Sequence, residues 1–295
     1  MKIFITGGVG FIGSNLTPQL LKRNHKLLLL SRKSVRASKN SRVKFVKGDL
    51  KDIGKWANGV KKFKPDVVIH LAWEGLESYD FTPKTCKKNL VNSLNLIYFA
   101  AEIGTKKFLS IGSSWEYGSA RGKFSESSRL KAPSHVPDLV FTKRTIQALG
   151  EEVALNSKMQ FLWPRLFFAY GPGQKSRALI PSLVKSFRSG TPPKIKNKTG
   201  GNDFVYIEDV ADAIVKIIER CKKPSAIYNI GSGKITSVAE VANKVAGNFN
   251  RPSLLKKPKK PRGFYADISK IKREVGWRPK TTIAEGVKKT VEYLR

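Results

Sequence analysis

Three evenly spaced glycines, Gly7, Gly10 and Gly13, mark the stretch of this chain best suited to chemistry, Lys2-Ile-Phe-Ile-Thr-Gly-Gly-Val-Gly-Phe-Ile-Gly-Ser14. A glycine turn between a strand and a helix start leaves backbone N–H groups unpaired and aims the positive end of the helix dipole at whatever lies above it. That arrangement suits an anion. Glycine matters there because a Cβ would hold a pyrophosphate off the backbone. A second cluster, Ser31, Arg32 and Lys33, follows the apolar run 27–30 and supplies a hydroxyl and two cations without a carboxylate. In a dinucleotide fold an acidic residue at that place holds a ribose 2′-hydroxyl, whereas a cation accommodates a 2′-phosphate. The expected cofactor is therefore NADP(H) rather than NAD, against the plainer reading of two more cations in a lysine-rich chain.

These residues need a scaffold, and the apolar pattern predicts one. Ile3, Phe4 and Ile5 read as a strand buried on both faces, followed by a helix over 11–23 that contains Pro18 and should kink there. Further strands are expected at 27–30, 43–46, 67–71, 107–111 and 161–167, with helices at 85–103 and 138–156 and a polar loop over 114–137. Alternation of this kind implies parallel pairing by right-handed crossovers, hence an α/β doubly wound parallel sheet. After Tyr170 the elements shorten, with helices expected at 178–189, 208–220, 238–246 and 283–294 and strands at 204–207 and 227–230. The expected division is a dinucleotide-binding domain over 1–168 and a smaller C-terminal α/β substrate domain over 169–295, some of whose segments return to the main sheet.

Composition narrows the function classes. The chain has 295 residues, 40% of them hydrophobic, enough for a full core. Fifty-six Lys and Arg against 22 Asp and Glu give a formal charge of +34, which attracts anionic metabolites. The cations are spread, with small clusters at 22–26, 61–64, 194–198 and 256–262. No nucleic-acid module or aromatic-basic stripe accompanies them, so a dedicated nucleic-acid role is not expected. No stretch is long and apolar enough for a membrane span. The first strand is expected directly after Met1, so no leader is expected. Cys86 and Cys221 lie far apart and read as reduced thiols, and His25, His70 and His135 show no ligand spacing. A cytoplasmic protein without a metal is the expectation.

Several segments then carry a family resemblance in common order: Thr6-Gly-Gly-Val-Gly-Phe-Ile-Gly13, Gly48-Asp-Leu50, His70-Leu-Ala72, Gly112-Ser-Ser-Trp-Glu-Tyr-Gly118, Tyr170-Gly-Pro-Gly173, Asp203-Phe-Val-Tyr-Ile-Glu-Asp-Val-Ala211, Tyr228-Asn-Ile-Gly-Ser-Gly233 and Gly276-Trp-Arg-Pro279. Over nearly its whole length the chain resembles the extended short-chain dehydrogenase/reductases, the NAD(P)-dependent epimerase/dehydratase group that acts on nucleotide sugars. The resemblance implies a Rossmann fold and a set of roles. Gly7, Gly10, Phe11, Ile12 and Gly13 would lie against the pyrophosphate, Asp49 and Leu50 would bracket the adenine, and Leu71, Ala72 and Trp73 would pass beneath the ribose near the nicotinamide. Ser113 matches the catalytic serine that hydrogen-bonds the reacting sugar oxygen, and Lys143 matches the lysine that holds the nicotinamide ribose. Substrate contacts are expected at Trp73, Ser114, Trp115, Phe168, Arg177 and Arg262. The resemblance also implies a homodimer through a four-helix bundle, here from helices 85–103 and 138–156.

The chain departs from that family at its centre. Leu139 stands four residues before Lys143, where a tyrosine is expected as proton carrier, and leucine cannot carry a proton. Acid–base help of this kind is worth about 10²–10⁴ in rate. Tyr117, Glu116 or Lys143 itself would have to serve instead. Phe168 replaces an expected asparagine and Asn202 an expected arginine, while Ser114 and Trp115 occupy the place of a dehydratase's Asp-Glu pair. The expected activity is thus reduction or epimerisation of a nucleotide-diphosphate sugar rather than dehydration. The wording around Trp115 and Tyr170 is similar to that of enzymes of dideoxyhexose synthesis for cell-surface polysaccharide. Alternatives are a non-catalytic protein that binds NADP or a nucleotide sugar, and an anion- or nucleic-acid-binding protein that exploits the charge.

Overall fold

In a computed structural model, residues 1–33, 40–76, 78–118, 121–133, 135–193, 195, 197 and 199–295 are described. Lys194, Lys196 and Lys198 of the basic cluster at 194–198 lie outside them. The chain forms two compact units. Met1–Ser119, Leu130–Arg165 and Ile214–Tyr228 make the first, and Ala120–Arg129, Leu166–Ala213 and Asn229–Arg295 the second.

The first unit is built on a doubly wound sheet. Its strands β1 (Lys2–Thr6), β2 (Lys26–Ser31), β3 (Val43–Lys47), β4 (Val67–His70) and β5 (Lys107–Ser110) lie in the order β3-β2-β1-β4-β5 and continue to strands Gln160–Leu166 and Ser225–Ile230. The pairs from β3 to β5, and β5 with Gln160–Leu166, are parallel. Ile3, Phe4 and Ile5 have no exposed surface, as a strand covered by helices on both faces requires. Helices α1 (Phe11–Lys22), α2 (Ala57–Phe63), α3 (Pro83–Glu102) and α4 (Pro137–Ser157) flank the sheet. Helix α1 runs through Pro18 to Lys22. The basic helix α2, which carries a glycine, was not foreseen in the apolar pattern.

Register delivers the functional loops. Thr6 pairs with His70 across β1 and β4, and His70 with Ser110 across β4 and β5, so the segments after all three strands leave the sheet side by side. Strand order reverses between β1 and β4, where open α/β sheets take their ligands. Trp56, Trp163 and Trp277 are buried core aromatics.

In the second unit, helices Leu179–Arg188, Val238–Gly247 and Ile283–Leu294 pack on one another. Short parallel pairs join Phe168–Tyr170 to Phe204–Tyr206 and Gly122–Phe124 to Phe264–Ala266. Asp203 and Asp209 gather loops, Asp209 from the first turn of helix Ile207–Arg220. Buried Asp203 accepts from the backbone N–H groups of Ser232, Gly233 and Ala266 and from the Ser232 hydroxyl. The Asp209 carboxylate accepts from Lys280 N and Thr281 N.

Candidate active site

The glycine turn divides its labour among three positions. Gly7 takes φ +73°, and a Cβ there would fall 2.6 Å from Ala72 N, so β1 and β4 approach through it. A Cβ on Gly13 would lie 2.4 Å from Gly7 O, so α1 packs directly on the turn. Gly10 differs: its Cβ would meet only Gly7 O at 3.3 Å, with open space beyond. The turn is closed by Gly10 N donating to Gly7 O at 3.0 Å. Helix α1 has no side-chain cap and no acidic residue in its first turn, which leaves Phe11 and Ile12 to present N–H groups outward. A dinucleotide's pyrophosphate fits this cradle, because the one glycine that protein packing does not demand is the one facing outward.

The expected adenosine side is placed as follows. Ser31 is buried and its hydroxyl donates to Lys33 O at 2.9 Å, while Arg32 and Lys33 are exposed. Residues 34–39, which follow them, lie outside the described residues. Asp49 caps the short 3-10 turn Leu50–Lys55, its carboxylate accepting from Lys51 N at 3.1 Å, and Asp49 O accepts from Trp56 Nε1 at 2.8 Å. Asp49 and Leu50 are both half-buried.

After β5, strand β6 (Gly112–Ser113) leads into the 3-10 turn Ser114–Tyr117. Ser113 and Glu116 form a capping box: Trp115 N donates to Ser113 Oγ at 3.2 Å and Ser113 N donates to Glu116 Oε1 at 2.6 Å. Glu116 has no exposed surface. It accepts from Arg165 Nε at 2.8 Å and from Trp163 Nε1 at 3.2 Å, and the Arg165 guanidinium lies 4.9 Å from the Tyr117 ring centroid. This buried pair fixes the backbone that carries Ser113. Glu116 is a candidate proton carrier by sequence, and Ser-x-x-Glu is a readable signal, but nothing local in the sequence marks Arg165 as its partner. Ser114 is buried, and Trp115 is half-buried with its ring 4.7 Å from that of His135.

Lys143 reaches the same loops from α4. Its Nζ donates to Ile111 O at 2.7 Å and sits 3.5 Å from the Trp73 ring centroid. Burial pulls its ammonium down to about 7, partly opposed by the charges of Glu116 and Cys86. His70, which shows no ligand spacing in the sequence but opens the His70-Leu-Ala72 motif, lies beneath the site. Its Nδ1 meets Thr6 Oγ1 at 2.7 Å and its Nε2 meets Ser93 Oγ at 3.0 Å. Burial, with Lys143 nearby, lowers it to about 3, so it stays neutral. Leu139 is buried one turn before Lys143. Leu71, Ala72 and Trp73 follow β4 and are half-buried. The structure thus brings together the glycine turn, Leu71–Trp73 (71–73), Ser113 and Lys143 within the first unit.

Phe168, Arg177 and Arg262 belong to the second unit. The Phe168 ring lies 6.2 Å from those of Phe204 and Phe264. Arg177 is exposed, and Arg262 bonds through its backbone, its O accepting from Gly201 N and its N donating to Thr199 O. Among the described residues no His, Cys, Asp and Glu cluster could hold a metal ion, and no helix is long and apolar enough to cross a membrane.

Comparison with known proteins agrees with this geometry. The family model described as NAD dependent epimerase/dehydratase family matches residues 3–231. An uncharacterized UDP-glucose epimerase, YtcB of Bacillus subtilis (strain 168), is 28% identical over 324 residues, covering 100% of this chain and 98% of its own. A dTDP-D-glucose 4,6-dehydratase of Homo sapiens is 25% identical over 322 residues, covering 100% and 90%. Among solved structures, MoeE5 in complex with UDP-glucuronic acid and NAD superposes with a TM-score of 0.86 at 25% identity, covering 99% of this chain and 98% of its own. With a matching family model over most of its length, a parallel Rossmann-type sheet and a glycine turn shaped for a dinucleotide, the chain belongs to the NAD dependent epimerase/dehydratase family.

Proposed function

We propose that this chain is a cytoplasmic, NADP-linked enzyme that moves hydride to or from a sugar carbon of a nucleotide-diphosphate sugar, as a reductase or an epimerase. The carrying observation is the juxtaposition of a glycine turn open at Gly10 with Lys143 and the Ser113 loop at the ends of adjacent parallel strands. The bound cofactor supplies hydride chemistry at its nicotinamide. Gly7, Gly10, Phe11, Ile12 and Gly13 would hold its pyrophosphate, Asp49 and Leu50 its adenine, and Leu71, Ala72 and Trp73 would line its ribose. Ser113 Oγ would polarise the oxygen on the reacting carbon. The UDP-glucuronic acid in the MoeE5 complex supports the substrate class, for which Trp115, Phe168, Arg177 and Arg262 are the proposed contacts. Ser114 and Trp115, in place of an acidic pair, favour reduction or epimerisation over dehydration.

NADP is preferred because Ser31, Arg32 and Lys33 offer cations and no carboxylate to the adenosine ribose. Fluorescence titration is expected to give NADPH at least about tenfold tighter binding than NADH, about 1.4 kcal/mol. Tighter NADH would overturn the preference, and failure of both to bind would overturn the enzyme. One residue favours a second reading: buried Leu139 suits a protein that binds these ligands without turning them over.

The outer faces of α3 and α4 expose Val91, Tyr98, Phe141, Leu149 and Leu155, and we propose that they pair with a second copy of this chain. Light scattering is expected to report twice the 32.9 kDa chain mass, and Tyr98→Glu to shift it toward one. A monomeric parent at micromolar concentration would exclude the pairing.

A further inference from the structure

We infer that Lys143 is the proton carrier of this site, supplying from its ε-amine what a tyrosine at position 139 would have supplied. The inference rests on the hydride-transfer reading above.

The neighbouring titratable groups are each committed elsewhere. His70 is spanned by Thr6 and Ser93 through both ring nitrogens. Glu116 is spent on Ser113 N, Trp163 and Arg165. Tyr117 has no exposed surface and packs against the Arg165 guanidinium. The Cys86 thiol is buried against Phe81 O at 3.6 Å, and burial raises its pKa. Lys143 is placed differently. An ammonium has three donors, and one of them is directed to Ile111 O, two residues before Ser113. The Trp73 face stabilises the charge without accepting a proton in a way that would trap it. Burial lowers the ammonium toward neutrality, Glu116 and Cys86 oppose that, and neutral His70 adds no charge, so both protonation states are accessible near pH 7.

In the oxidising direction the neutral amine takes the sugar hydroxyl proton as the hydrogen on the same carbon leaves as hydride to oxidised nicotinamide. The carbon becomes a carbonyl, two electrons reduce the cofactor, and the Lys143 ammonium holds the proton for the reverse step.

Two readouts test this. In protein labelled with ¹³C,¹⁵N-lysine and free of ligands, the resonance lost in Lys143→Arg is expected to titrate near pH 7, whereas ordinary lysines titrate at about 10. In single turnovers with bound NADP⁺ and either UDP-glucose or UDP-glucuronic acid as probe, reduced-nicotinamide absorbance is expected to grow about tenfold more slowly per pH unit below neutrality. At saturating NADP⁺, Lys143→Arg is expected to lose about 100-fold in rate and the acid limb with it. Lys143→Met serves if the arginine variant does not fold. A Lys143 resonance titrating near 10, a variant that keeps both rate and limb, or a cofactor-loaded parent that oxidises neither sugar overturns the inference. A parent that binds neither NADP⁺ nor NAD⁺ overturns the hydride-transfer reading instead.

Discussion

Arg165→Met is expected to lower the free energy of unfolding by about 3–5 kcal/mol, the loss that follows when one member of a buried ion pair is left alone. Glu116 is wholly buried and Arg165 is 2% exposed. Without the guanidinium the buried carboxylate loses its paired charge and keeps the neutral donors Ser113 N and Trp163 Nε1. Arg165→Met/Glu116→Gln is expected to recover part of the loss, because glutamine brings no charge and its carbonyl can still accept from Ser113 N. Urea unfolding followed by tryptophan fluorescence reads both. A single variant within about 1 kcal/mol of the parent would mean that water reaches the pair. The site should feel this change too. Glu116 is a negative charge that supports the Lys143 ammonium against burial, so Glu116→Gln is expected to move the Lys143 titration below its parental value of about 7.

That pair also shows where sequence reading stops. Ile3–Ile5 (3–5), the leucines of β2 and the run at 67–70 announced buried parallel strands, since a strand covered on both faces has few residue choices. Helices α3 (Pro83–Glu102) and α4 (Pro137–Ser157) lie within two residues of the expected 85–103 and 138–156, and the glycines marked their turn. Glu116 and Arg165 lie 49 residues apart and meet only because β6 pairs with the strand Gln160–Leu166. No local spacing encodes that encounter. Asp203 is another such case: its partners come from Ser232, Gly233 and Ala266, about 30 or more residues away in the chain. The short strands Gly122–Phe124 and Phe264–Ala266 are too brief to show a period of two, and only their mutual pairing makes them strands. At the candidate site the residue types were legible from the resemblance, but the electrostatics were not. Lys143 on the Trp73 face, and His70 held between two hydroxyls, depend on burial that three adjacent strand ends create together.

Two alanine substitutions in the glycine turn are expected to fail in different ways, and the contrast tests the cofactor assignment. Gly13→Ala places a Cβ 2.4 Å from Gly7 O and 2.5 Å from Gly8 Cα. Both are backbone atoms, so no side chain can swing aside and α1 must lift from the turn. The expected cost is about 1–3 kcal/mol of stability, with cofactor binding lost as the helix N-terminus moves. Gly10→Ala meets only Gly7 O at 3.3 Å, which a small adjustment relieves. Its stability is expected to stay within about 0.5 kcal/mol of the parent. Its methyl group, however, enters open space at the turn, where a pyrophosphate held by the backbone would need to approach closely. NADPH affinity is therefore expected to fall at least about tenfold, about 1.4 kcal/mol, in a protein that remains folded. Parental NADPH affinity in folded Gly10→Ala would place the phosphates elsewhere, because no anion held by that turn can avoid the added carbon.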